Sequence, residues 1–205
     1  MKLVHEIPLI RAGDIDSAAS CAHALADIRS AIASVGWPPG SDKFSIYPES
    51  GKKRGMGSGV RPIRDMFVQE LKARGWTAEA PFPVPTPGLA SSFGPMDASK
   101  AFDKDLFVVE WETGNVSSSH RSMNKLAIGI VKGALAGGVL IVPTKNLAQY
   151  LTDRIGNLEE LEPYFDLWGS VAARRGYLGV FAVEHDATST SVPRIRKGTD
   201  GRSLI

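Results

Sequence analysis

The sequence predicts an α/β fold: one domain, residues 1–205, built on a mixed β-sheet flanked by helices. Two observations carry that expectation. From about residue 106 onward, apolar runs of strand type at 106–113, 139–144 and 177–185 alternate with helical patterns at 118–136, 145–157 and 158–168. A chain of 205 residues, 43% hydrophobic and 22% charged, is also long enough to bury one core and shows no long disordered span.

In chain order, residues 14–36 place apolar side chains at helical spacing behind an Asp/Ser start, and Gly36, Pro38 and Pro39 end that helix. The segment that follows, to about Gly59, is rich in Gly, Pro and Ser and carries Lys52, Lys53 and Arg54. It reads as a mobile basic loop, either solvated or resting on a polyanion. A second amphipathic helix over 62–74 opens on a proline and closes at Gly75. Four prolines between Trp76 and Gly94 make that stretch extended chain and loop. The strand at 106–113 is followed by a helix starting at Ser118 or Ser119 and broken at Gly137 and Gly138. Residues 139–144, VLIVPT, form a fully buried strand. The helices at 145–157 and 158–168 divide near Gly156, with Asn157 placed to cap against Glu160. After the strand at 177–185, a polar tail runs to the end. No repeat is present, and helices precede the first strand in this reading.

With 24 Lys plus Arg against 22 Asp plus Glu the net charge is only +2, so any surface for nucleic acid must be local. No apolar run approaches the roughly 20 residues of a membrane helix. The start MKLVHEIPLI lacks the layout of a secretory signal, which points to a cytoplasmic protein. The single cysteine, Cys21, excludes an internal disulfide and a thiolate metal cage, and its Ala-rich surroundings suit a buried structural thiol.

The chemistry gathers where the apolar run LFVV ends in Glu110-Trp111-Glu112. Alternation along a strand puts the two carboxylates on one face and Trp111 on the other. Their Cα atoms then lie about 7 Å apart, close enough for each to raise the other's pKa unless a cation intervenes. A hard divalent ion such as Mg²⁺ suits such oxygens, and the Trp111 backbone carbonyl between them could complete one side of its shell. Asp97, in a loop just upstream, fits beside the strand, and Glu79 is a fourth candidate. Proline, one residue, Asp, then Glu-x-Glu at the end of an apolar strand is a loose form of the metal-dependent phosphodiesterase pattern, whose last position is more often Lys. The pair alone is also compatible with solvated acids at a strand edge, or with a glycoside hydrolase.

The residues that follow, TGNVSSSHRS, supply Asn115, Ser117 and Arg121 at a helix entrance. That inventory reads base edges and binds phosphate, and the aromatic platforms of a sugar site are missing. Asp153 and Arg154 form a second polar pair, suited to cytosine and guanine edges or simply to an exposed ion pair.

VEWETGNVSSSHRSMNKLAIGI, PTKNLAQYLTDRIGNLEELEPYFDL and VPRIRKGTDGRS closely resemble the BamHI-type family of type II restriction endonucleases, with looser likeness in WPPGSDKFSI, GVRPIRDM and WTAEAP. The resemblance implies a restriction-endonuclease-like core and a homodimer. It also implies Mg²⁺-dependent cleavage of double-stranded DNA at GGATCC to leave 5′ overhangs, and a host DNA methyltransferase as companion. On matched positions it implies Asp97, Glu110 and Glu79 as ligands of two metal ions, and Glu112 as the general base for a metal-activated water. It further implies Asn115, Ser117, Arg121, Asp153 and Arg154 as major-groove contacts, Lys145 as a phosphate contact, and Asp200 and Gly201 as minor-groove contacts. The dimer helices would be about 119–134 and 158–168, with Val131 where the family has a lysine. A catalytically silent DNA-binding protein on the same fold is the alternative, opposed by the intact acid set.

Overall fold

In the computed structural model, which describes residues 1–52, 55–84, 93–152 and 154–197, the chain opens with a strand, β1 (Lys2–Ala12), and not with a helix. A 3₁₀ turn (Ile15–Ser17) leads into α1 (Ala19–Ala33). Then come β2 (Ser45–Ile46), α2 (Arg61–Ala73), β3 (Thr77–Ala80), β4 (Met96–Phe102) and β5 (Asp105–Trp111). The second half contains α3 (Val116–Val131), β6 (Gly137–Pro143), α4 (Lys145–Ala148), α5 (Leu158–Leu161), α6 (Phe165–Gly169), β7 (Gly176–Glu184) and β8 (Ala187–Thr188).

Six strands form one sheet in the order β1-β7-β6-β5-β4-β3. The β5, β6 and β7 strands are parallel, and β1, β4 and β3 extend the sheet with antiparallel pairs, so it is mixed as the sequence predicts. Helices cover both faces. Phe107, Val109, Trp111, Val139 and Ile141 pack with α1 and α2, through Ile28, Ile32, Ile63, Phe67 and Leu71. Val108, Leu140, Val142 and Val180 point the other way, onto Met123, Leu126 and Ile130 of α3 and Leu161 and Trp168 beyond it. Burial on both faces is why these parallel strands read as unbroken apolar runs. Glu110, one residue on from Val109, falls on the α3 side.

Several expectations change. β1 is an edge strand, largely exposed and carrying His5, Glu6 and Pro8, and its pairing with β7 slips at Pro8/Ile10. Charge and proline are how edges resist further pairing, and they also erase the alternation by which a strand is recognised. β4 lies where the sequence reads as loop, because MDASKAF is short of large apolar residues; its pairing with β5 places Asp97 on the strand beside Glu110. α3 starts at Val116, because the Asn115 side chain accepts the Ser118 N–H at 3.2 Å as N-cap, and it ends near Gly133, whose φ of 69° closes the helix. Gly137 and Gly138 belong to β6 instead.

The helix expected over 145–157 stops at Ala148. Backbone pairing with the 51–58 loop competes for the chain there: Gly51 donates to the Gln149 carbonyl, Ser58 to that of Tyr150, and Thr152 to that of Ser58. The same bonds, with the β2–β8 pairing, tie down Ser45, Ile46, Gly51 and Ser58 in the segment that sequence alone suggests is mobile. The 158–168 helix is interrupted by a 3₁₀ turn at Glu162–Tyr164, around Pro163. Asn157 and Glu160 form the expected capping box. Among the described residues no helix is long and apolar enough to cross a membrane.

Candidate active site

The acids converge where the β4 and β5 strands run up to the entrance of α3. Glu110 and Glu112 are each only 6% exposed, an unusual burial for carboxylates. Asp97 is half-buried, and its Oδ2 accepts the Trp111 N–H at 2.7 Å, while its own N–H points at Glu110 Oε2 at 3.4 Å. Trp111 places its ring in the core, 4.8 Å from that of Phe67. Glu112 Oε1 accepts the Gly114 N–H at 2.5 Å; its Oε2 is buried beside the Ser119 hydroxyl, and neither of those atoms makes a well-formed hydrogen bond. Glu79 is exposed on β3 in a left-handed conformation, φ 54°.

Two cations that sequence reading did not single out hold this cluster. Arg64, in the first turn of α2, donates to Asp97 Oδ1 at 2.6 and 3.1 Å, to Asp65 at 3.1 Å and to Glu79. Lys125 of α3, 7% exposed, forms an ion pair with Glu110 Oε1 and reaches the Pro95 carbonyl at 3.1 Å. That pair is an ionic contact without good hydrogen-bond geometry at Oε1. Neither cation has a local signal: Arg64 shares its helix turn with Arg61, and Lys125 lies fifteen residues from its partner on another element.

Burial, then the Asp97 charge, push the Glu110 carboxyl up to about 7, with Lys125 opposing. Burial also raises Glu112, opposed by the Gly114 N–H and the Ser119 hydroxyl. The sign for stability follows directly. A folded Glu110 that holds its proton to about 7 binds more protons than the unfolded chain, whose carboxyl titrates near 4.5. Stability contributed by this group is therefore full below the lower value, and it falls as pH rises through the window. Denaturant melts of the metal-free protein between those pH values are expected to show this slope, and Glu110→Gln is expected to reduce it to the part that Glu112, also raised, contributes.

Two buried, partly unsatisfied carboxylates with hard-oxygen chemistry fit a divalent cation better than they fit each other. Among the described residues, however, no three acidic, His or Cys side chains are gathered closely enough to hold a metal as they stand. Arg64 and Lys125 occupy the charges.

The α3 entrance presents Asn115, Ser117 and Arg121 exposed on the surface next to the acids, with Arg121 touching Ser118 Oγ at 3.3 Å. Asn115 already serves as the helix cap, so its amide N–H₂ is the group left facing outward. The second polar segment is brought against this entrance: Gly156 donates to the Gly114 carbonyl at 2.9 Å, and a Cβ on Gly156 would lie 2.4 Å from Ser119 Oγ. Exposed Arg154 lies two residues before it, with φ 70°. A cleft of about 640 Å³ joins Arg154 to Lys145 and Lys52. Asp153, Asp200 and Gly201 lie outside the described residues, as do Lys53 and Arg54.

Comparison with known proteins agrees with this arrangement. The fold resembles the crystal structure of restriction endonuclease BglII complexed with a DNA 16-mer, at a TM-score of 0.61 over 95% of this chain and 88% of that one, with 10% identity. Type II restriction enzyme OkrAI of Oceanobacter kriegii is 41% identical over 180 residues, 88% of this chain and 89% of that protein. Type II restriction enzyme BamHI of Bacillus amyloliquefaciens is 36% identical over 183 residues, 86% of this chain and 81% of that protein. Residues 1–202 match the family described as restriction endonuclease BamHI. An acid cluster at the end of a mixed sheet, a polar helix entrance beside it and likeness along nearly the whole chain thus agree: this chain belongs to the BamHI family of type II restriction endonucleases, which are site-specific deoxyribonucleases.

Proposed function

We propose that the chain is a homodimeric, Mg²⁺-dependent endonuclease of the cytoplasm that cuts double-stranded DNA at GGATCC, leaving 5′ overhangs with 5′-phosphate and 3′-hydroxyl ends. The observation that carries this reading is the convergence of Asp97, Glu110 and Glu112 beside a helix entrance that displays Asn115, Ser117 and Arg121. The names of its relatives as type II restriction enzymes support the activity. A DNA methyltransferase in the host would shield its own GGATCC sites.

Asp97, Glu110, Glu79 and the Trp111 backbone carbonyl would hold the cation or cations. Divalent ions there would neutralise the scissile phosphate and lower the pKa of an attacking water. Glu112 is the base in this scheme: its carboxyl is buried, raised above the ordinary range and anchored through one oxygen to Gly114, which leaves the other to take a proton. Arg121 and Asn115 would read base edges from the α3 entrance, with Asp153 and Arg154 as the second set and Lys145 on a phosphate. Asp200 and Gly201 would reach the minor groove.

The dimer has its own support. Ile128, Val131, Tyr164 and Leu167 are exposed large apolar side chains, Leu167 at 64%, on the elements expected to pair. His120 packs edge-on to Tyr164 at 4.4 Å, and Trp168 donates to Asn124, so α3 and the α5–α6 segment form one surface. Leu167→Glu is expected to shift the protein to monomer in sedimentation at micromolar concentration; a dimer of unchanged affinity would remove this face from the interface.

The test of the activity is a plasmid carrying one GGATCC, incubated with and without Mg²⁺ beside a copy with that sequence altered. Linearisation only with both the metal and the intact site supports the reading. An uncut plasmid in Mg²⁺ favours a silent DNA-binding protein, and cutting regardless of site removes the specificity.

A further inference from the structure

Both oxygens of Asp97 are engaged. Its Oδ2 accepts the Trp111 N–H, and its Oδ1 accepts both Nε and Nη2 of Arg64. Glu79 is engaged by the same Nη2. The remaining arm, Nη1, rests on Asp65, whose other oxygen lies 3.6 Å from Arg61. One half-buried guanidinium therefore joins three carboxylates, with its side chain only 15% exposed. A divalent cation and a guanidinium cannot share these oxygens, because two positive charges a few ångströms apart in a partly desolvated site repel strongly.

We propose that Arg64 is a resident counter-cation, a positioning residue that holds Asp97 and Glu79 in place and must swing away before a divalent cation can bind there. The inference rests on the metal reading above and adds to it the expectation that the DNA-free protein takes up a divalent cation only weakly while Arg64 stays in place. Arg suits the task better than Lys: its planar fork bonds two carboxylates at once and keeps its charge at any working pH. Lys125 does not share this role. It lies on the far side, against Glu110 and two backbone carbonyls, and leaves Asp97 untouched.

The test titrates the DNA-free, full-length protein with Mn²⁺, with free ion followed by electron paramagnetic resonance. Arg64→Met is expected to bind Mn²⁺ about tenfold tighter than wild type or more, a change of the size usual for one group's effect on a ligand's affinity. Arg61→Met is the control for bulk charge, since Arg61 meets only Asp65 among the cluster's acids. An equal gain in Arg61→Met, or no gain in Arg64→Met, would overturn the proposal. A second measurement uses wild type alone, so that a misfolded variant decides nothing. Phenylglyoxal labelling of Arg64, read by mass spectrometry, should rise when Mn²⁺ is added, and labelling that stays constant at saturating Mn²⁺ overturns the displacement. If no Mn²⁺ binds to any of the proteins, even with a GGATCC duplex present, the metal reading itself falls. Equal binding by wild type and Arg64→Met would remove Arg64 and leave that reading standing.

Discussion

Glu112→Gln is expected to lower DNA cleavage by about 10²–10⁴-fold while leaving the protein as stable as before or more so. The two effects have one cause. Gln preserves the bond from the Gly114 N–H and turns the unsatisfied Oε2 position into an N–H₂ group that can donate to the Ser119 hydroxyl. A buried charge and an orphan acceptor disappear together, which favours the fold by on the order of 1 kcal/mol. A group able to take a proton disappears as well. Single-turnover cleavage of a GGATCC duplex and a thermal melt on the same preparation check both halves. Cleavage within about tenfold of wild type would remove Glu112 as the base, and a much lower melting temperature would show that its charge supports the fold.

Arg121→Ala has the largest expected effect on recognition. Arg121 is exposed and, among the described residues, its side chain bonds only to Ser118, so its loss leaves the fold unstrained. A bidentate contact to guanine contributes about 1–3 kcal/mol of discrimination, and a two-fold dimer loses two of them, so cognate binding should weaken by roughly 30- to 10⁴-fold. Binding to unrelated duplex should change little, because phosphate contacts dominate there. Competition binding with cognate and scrambled duplexes in the absence of divalent ions measures the ratio; an unchanged ratio would take Arg121 out of the reading set. Arg154→Ala is a less clean companion, since φ 70° at that residue is itself strained for alanine.

The parts of this molecule visible in its sequence are those governed by neighbours along the chain. Apolar runs buried on both faces announced β5, β6 and β7. The Asn157–Glu160 capping box, the proline at the start of α2 and the acid pair after Val109 are likewise local patterns. What stayed hidden depends on pairing between distant segments. β1 carries the charged, exposed side chains of an edge, and β4 lacks bulky residues, so neither shows a strand's period even though β4 delivers Asp97. The helix beyond Ala148 was lost to hydrogen bonds with residues 51–58, about ninety positions upstream. Arg64 and Lys125 escaped for the same reason: a cation on a helix cannot be matched with a carboxylate on a strand until the fold sets them within reach.

Gly114 is a mechanical joint between two parts of the site. Its N–H is bonded to Glu112 and its carbonyl to the N–H of Gly156, so one residue ties the acid end of the sheet to the segment that displays Arg154. Gly156 lies against Ser119 and Val116 closely enough to leave no room for a Cβ. On the proposed roles, a duplex that seats Arg154 poorly would shift Gly156 and, through these two hydrogen bonds, the Glu112 carboxylate. In that case fidelity would need no separate sensor, because a badly fitting sequence would misalign the proposed base itself.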